Sequence, residues 1–204
     1  MGILRLVPIH LGDDAAILPA LGARLRDALR MEAAVARPGF DPEVAYDPVR
    51  GQYSSTRLLS LLLGAPRGGV ARVLGVAGVD LFIPVLTYVF GEAQLDGAAA
   101  VVSTYRLRHE AYGLRPDPEG FLDRLEKEAT HELGHTLGIV HCPSLDCVMR
   151  SSTYVEEIDL KPAGFCDACR AAAFRGRGAG DGGAAGASGY SMPGITSSRG
   201  NRTV

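Results

Sequence analysis

The most reactive side chains in this sequence stand two thirds of the way along the chain, in the run His131-Glu132-Leu133-Gly134-His135-Thr136-Leu137-Gly138-Ile139-Val140-His141. His131 and His135 are four residues apart. On a helix this places them about 40° apart around the axis and about 6 Å along it, so both imidazoles reach one ion. Were the helix to continue, His141 would lie roughly 9 Å beyond His135 and about 240° further round, pointing away. Gly138 offers the break, because glycine enters the left-handed conformation that ends many helices without a Cβ penalty. His141 then folds back toward the same ion. Three neutral imidazoles with one open position describe a catalytic zinc site, in which a bound water has its pKa lowered toward about 7. Glu132, beside the first ligand, is placed to take that water's proton and later deliver it to the leaving amine. The pattern predicts metal-assisted hydrolysis. Metal binding without turnover, in a protein that holds peptides or a partner, stays open as the alternative.

A second constellation comes directly after the first. Cys142 and Cys147 are separated by four residues, Cys166 and Cys169 by two. These are the ligand pairs of a closed, all-cysteine structural zinc site; two disulfides and free thiols are the other readings. Cys142 adjoins His141, and Cys147 lies two residues before Met149. A metal there would tie down a Pro- and Gly-containing segment and His141 with it. The sequence thus predicts two zinc ions per chain: a catalytic one on His131, His135 and His141, and a structural one on Cys142, Cys147, Cys166 and Cys169.

The helices and strands that hold these residues are read from pattern. Asp117 and Pro118 open a long helix carrying Phe121, Leu122, Leu125, Ala129, Leu133 and Leu137, with proline near its first turn, where its missing N–H costs nothing. Ile3 to Ile9 reads as a strand. Asp13 and Asp14 are candidate caps of a helix to about Arg30, its start shifted downstream by Pro19. Ala33 to Ala36 and Val73 to Val79 read as strands, and Ser54 or Ser55 caps a helix to about Leu63. Residues 38–52, with three prolines and two glycines, read as a loop. Tyr88–Ala93 and Ala98–Ser103 flank Asp96-Gly97 and suggest a hairpin. The fold class is α/β (α+β): a small mixed twisted sheet, two or three packed helices and an irregular C-terminal third.

Composition narrows the partners. The 204 residues are 47% hydrophobic and 22% charged, with 21 basic and 23 acidic residues and a net charge of -2. That balance fits a domain with a real core and removes the electrostatic case for binding nucleic acid or an anionic membrane. The longest apolar stretch, Leu81 to Gly91, is too short to span a bilayer and holds Pro84. The start, MGILRLVPIH, lacks the layout of a secretory signal, so the expected location is cytosolic. Residues 175–204 hold nine of the 26 glycines with no apolar periodicity and read as a disordered tail; residues 1–174 form the domain, with a net charge of -5. His10, His109, Tyr154, Glu156, Glu157 and Asp159 read as residues outside the site.

HExxHxxGxxH with a Met downstream resembles the metzincin pattern, and the Cys142–Met149 continuation with the later Cys166–Cys169 pair is similar to the archaemetzincin family. The resemblance covers residues 131–169 most closely and extends upstream through YVFGEAQLDGAAAVVS. It implies a metzincin-like peptidase domain whose active-site helix bears His131 and His135, with Met149 in a turn beneath the catalytic zinc and a structural zinc on the four cysteines. It also implies a peptide or protein substrate lying antiparallel to an edge strand, for which Tyr88 to Ala93 is the candidate, and aminopeptidase action as the suggested activity. The chain is read as a monomer.

Overall fold

The structure, a computed structural model, describes residues 2–65 and 68–175. Apart from Arg175, the tail expected over 175–204 lies outside the described residues. In chain order the elements are β1 (Gly2–Ile9), α1 (Leu18–Leu29), β2 (Met31–Val35), β3 (Tyr46–Asp47), β4 (Gln52–Ser54), α2 (Ser55–Gly64), β5 (Arg72–Ala77), β6 (Leu81–Phe82), β7 (Gly91–Ala93), β8 (Ala99–Ser103), α3 (Pro118–Thr136), α4 (Val155–Leu160) and α5 (Asp167–Ala173). Five strands form one sheet in the order β2-β1-β5-β8-β7, and β3-β4-β6 form a small second one. All neighbours in the larger sheet are parallel except β7, which runs antiparallel to β8 and whose outer edge pairs with no strand among the described residues.

Alternation along the central strands explains the layering. Leu4, Leu6, Leu74, Val76, Ala100 and Val102 point to one face, against α1 and α3; Val7, Ile9, Val73, Ala77, Ala99 and Val101 point to the other, against α2. Both faces are covered, so these strands read as apolar runs. The long helix presents Leu125, Ala129 and Leu133 to the sheet at four-residue spacing. Arg24 on α1 binds Asp123 and, at 2.9 Å, Glu126 on α3, fixing the two helices side by side.

The expected strands, hairpin and long helix are present with shifts of a few residues at their ends. Ser54 caps α2 and Asp117 caps α3, each side chain accepting a backbone N–H of the first turn. Pro19 does displace the start of α1: residues 12–17 form a 3-10 turn ahead of it. Three features differ. The loop expected over 38–52 contains the two-residue strand β3 and a 3-10 turn, and β4 begins at its end. The irregular C-terminal part holds two short helices, α4 and α5. With these the described helices number five, beyond the two or three expected. No described helix is long and apolar enough to cross a membrane.

Candidate metal centre and its cleft

The last two turns of α3 carry the histidine pair, and the loop beyond its C-terminus supplies the third ring. Leu137 ends the helix and Gly138 adopts φ 85°, the left-handed turn expected of it. The chain then reverses, bringing the His141 ring centroid to 5.2 Å from His131 and 4.9 Å from His135. One ring nitrogen from each of the three histidines lies within 4.8 Å of the others. The end of the helix is itself anchored. Asp96 N–H of the β7–β8 turn donates to the His135 carbonyl at 2.9 Å, and the Arg72 guanidinium reaches Thr136 Oγ1 at 3.1 Å.

Whether these residues fit a metal is decided by their second nitrogens. His131 Nδ1 lies 2.8 Å from the Val148 carbonyl, and His135 Nδ1 lies 2.7 Å from the Ile139 carbonyl. A carbonyl only accepts, so each Nδ1 carries the ring proton and each Nε2 presents its lone pair. The two Nε2 atoms face one another at 3.1 Å. Two lone pairs at that separation repel, and a shared cation relieves the conflict. Protonation is no remedy, because burial pushes both imidazoles down to about 3, with the Lys161 ammonium also lowering His131. His141 is lowered too, first by burial and then by Lys161, although its side chain is exposed at the mouth of the site. Neutral imidazoles with converging lone pairs fit a zinc ion.

Glu132 is buried beside the histidines, and its Oε2 has no hydrogen-bond partner among the described residues. Burial holds its carboxyl well above the usual range, Glu128 adds to the rise, and Lys161 opposes it. Glycine at position 91 on β7 makes room for it: a Cβ there would stand 2.6 Å from Glu132 Cγ and 2.7 Å from Oε1. Glu92 accepts from Ser55 Oγ at 2.5 Å and Thr56 Oγ1 at 3.0 Å. Glu128 pairs with Lys161 at 2.7 Å in the interior. All three carboxylates and the three histidines line one cleft of about 650 Å³, together with residues 83–90 and 151–154. Sequence reasoning did not find Glu92, Glu128 or Lys161. Glu128 was findable, since it precedes His131 by three residues and Glu132 by four and so shares their helix face.

The four sulfurs of Cys142, Cys147, Cys166 and Cys169 lie within 4.8 Å of one another and are unbonded, with Cys142 Sγ 4.0 Å from Cys166 Sγ. Four convergent thiols fit a closed tetrahedral zinc site. Their surroundings sort them: backbone hydrogen bonding near the start of α5 lowers Cys166 to about 7, while burial raises Cys147 and Cys169. The loop they hold carries Met149, which is fully buried and packs against Gly134, and Val148, whose carbonyl orients His131. Cys142 N–H donates to the Met149 carbonyl at 2.9 Å, so this loop closes on itself next to His141.

Several of the residues read as outside the site have partners of their own, although His109 is largely covered rather than on the surface, with its side chain 18% exposed. His10 pairs with Glu43 at 2.8 Å, Asp159 is held by Arg124 at 2.7 Å, and neither His10 nor His109 belongs to a metal-compatible group among the described residues. Tyr154, though 62% exposed, lines the cleft.

Comparison with known proteins places this arrangement. The model of peptidase family M54 matches residues 43–174. The archaemetzincin of Methanopyrus kandleri is 49% identical over 128 residues, covering 63% of this chain and 69% of that protein, and that of Halobacterium salinarum is 37% identical over 171 residues, covering 82% and 94%. Among solved structures, Methanopyrus kandleri archaemetzincin superimposes with a TM-score of 0.74 at 40% identity, covering 85% of this chain and 94% of that one. Archaeoglobus fulgidus archaemetzincin, crystallised with malonate, gives 0.70 at 34% identity over 83% and 99%. The chain belongs to the archaemetzincin family, peptidase family M54, and is a zinc metallopeptidase.

Proposed function

We propose that this chain hydrolyses peptide bonds with a zinc ion held by His131, His135 and His141 and with Glu132 as general base, and that a second zinc on Cys142, Cys147, Cys166 and Cys169 is structural. The observation that carries the reading is the pair of Nε2 lone pairs facing each other at 3.1 Å beside a buried, unpartnered carboxylate oxygen. When bound, the catalytic zinc supplies a Lewis acid that polarises a carbonyl and acidifies water. Glu132 accepts the attacking water's proton on a carboxylate oxygen and passes it to the departing nitrogen. Its burial suits this work, because a carboxylate stripped of solvent holds a proton more strongly than one in water. Val148 and Ile139 carbonyls keep the His131 and His135 rings turned to the centre throughout. The outer edge of β7, unpaired among the described residues, offers backbone groups for an extended peptide.

The lining favours the amino end of that peptide. Of the carboxylates along the cleft, Glu128 has Lys161 as its cation, while Glu92 is held by hydroxyls alone. An acidic wall beside the reacting centre suits an α-ammonium, and we read the activity as removal of N-terminal residues. A cytosolic setting suits a thiolate-ligated structural metal. The test is digestion of a peptide library by the native protein and by Glu132→Ala. Cleavage by the native protein that Glu132→Ala abolishes supports the reading. Absence of cleavage in both favours the rival, a zinc-stabilised protein that holds peptides without cutting them.

A further inference from the structure

The cleft is walled by two segments remote in sequence, and they are joined to each other. Tyr88 Oη, from residues 83–90, donates to the Thr153 carbonyl, from residues 151–154, at 2.9 Å. Both ends of this bond are braced. The Tyr88 ring packs edge-on against Phe90 with centroids 5.6 Å apart, and the Arg106 guanidinium lies 4.0 Å from the Tyr88 centroid. Arg106 is in turn fixed by two hydrogen bonds to Asp80, at 2.7 and 2.6 Å. At the other end, Glu157 Oε2 accepts the Thr153 and Tyr154 N–H groups at 2.5 and 3.2 Å. Three charged side chains therefore hold the two ends of one bond at the boundary of the cleft, and nothing in the hydrolytic chemistry uses them.

We propose that the Tyr88–Thr153 bridge bounds the peptide-binding cleft and limits the size of the residue accepted beside the His–Glu centre, an inference that rests on the peptidase reading above. A phenol ring gripped by Phe90 and Arg106 and pinned through its hydroxyl is a rigid wall. A small side chain fits within it. A bulky one must push the ring aside and break the bridge, and discrimination by pocket size of this kind is worth about tenfold or more in kcat/KM.

The experiment uses the full chain loaded with zinc, as wild type, Tyr88→Phe and Tyr88→Ala. A peptide series varying only the residue that flanks the cut bond, from Ala through Leu to Phe, is ranked by kcat/KM. The same series is ranked by equilibrium binding to each protein carrying Glu132→Gln. The expected result is a preference for small residues in the wild type that falls about tenfold in Tyr88→Ala, with Tyr88→Phe between the two because it keeps the ring packing and loses only the bridge. An identical ranking in all three proteins, by turnover or by binding, overturns the proposal, as does failure of every peptide to bind. A shifted binding ranking without turnover in any protein sustains the bridge and removes the peptidase reading. Tyr88→Phe also guards against misfolding, since it leaves the contacts with Phe90 intact.

Discussion

Two clusters of metal-compatible side chains stand next to each other in this chain, and they are built in opposite ways. Two of the three histidines are placed by a 19-residue helix whose face packs on the sheet, so their spacing exists before any ion arrives. The four thiols are placed by a loop, a turn and the seven-residue α5, none of which has a core of its own. The histidine centre opens to a cleft and has a carboxylate beside it; the thiol cluster does not border that cleft and packs against the apolar core. Rigid support with an open side is what a reacting centre needs, whereas a closed donor set on weak local structure gains its shape from the metal. On the reading proposed above, the same ion would serve as reagent in one place and as staple in the other, decided by what holds the donors.

The largest effect that separates the clusters is on turnover. Glu132→Ala is expected to lower kcat by about 10²- to 10⁴-fold with both metals retained, measured by kinetics alongside metal analysis. Loss of metal on that substitution would erase the distinction between base and ligand. Next comes Cys166→Ser, which should release one metal and destabilise the protein by several kcal/mol, read as a fall in Tm of roughly 10 °C or more. Wild-type zinc content and activity in that variant would contradict a structural metal that steadies His141 and Val148. His135→Ala should also release one metal, but with a smaller change in Tm than Cys166→Ser.

Gly91→Ala probes the contrast from the cleft side. A Cβ at 2.6–2.7 Å from the Glu132 side chain and 2.7 Å from the Val101 carbonyl forces both the carboxylate and the β7–β8 pairing to shift, with an expected drop in kcat of about tenfold or more and little change in metal content. The smallest effect is one of pH on the metal-stripped protein. His131 and His135 are lowered to about 3 in the fold, so between the unfolded value near 6.5 and that point the unfolded chain binds protons that the folded one refuses. Stability of the stripped wild type should therefore fall on acidification below about pH 6.5, more steeply than that of stripped His131→Gln in parallel thermal melts.

How much of this could be read beforehand depends on how local each signal is. His131, Glu132 and His135 are legible because the helical period fixes them, and His141 because Gly138 permits a reversal that any Cβ would resist. Asp117-Pro118 and Asp96-Gly97 announce a helix start and a turn through local backbone chemistry. By contrast, Glu92 reaches Ser55 and Thr56 across 37 and 36 residues, and Tyr88 reaches Thr153 across 65, distances over which no sequence period carries information. The strands only two residues long, β3 and β6, offer too few side chains for alternation to register. Helix α4 did have a signal: Val155 and Ile158, both buried, stand three apart around Glu156 and Glu157 in a first turn.

The far end of α3 is clamped by Asp96 and Arg72, and its near end is capped by Asp117. One residue inserted between those ends must rotate one half of the helix against the other by about 100°. The half bearing Phe121 and Leu125 is held as well as the half bearing the imidazoles, with Leu125 on the sheet and Asp123 and Glu126 on Arg24, so whichever half turned would expose apolar surface now covered. A change in length anywhere within α3 should therefore be ruinous to the fold as well as to the histidine centre.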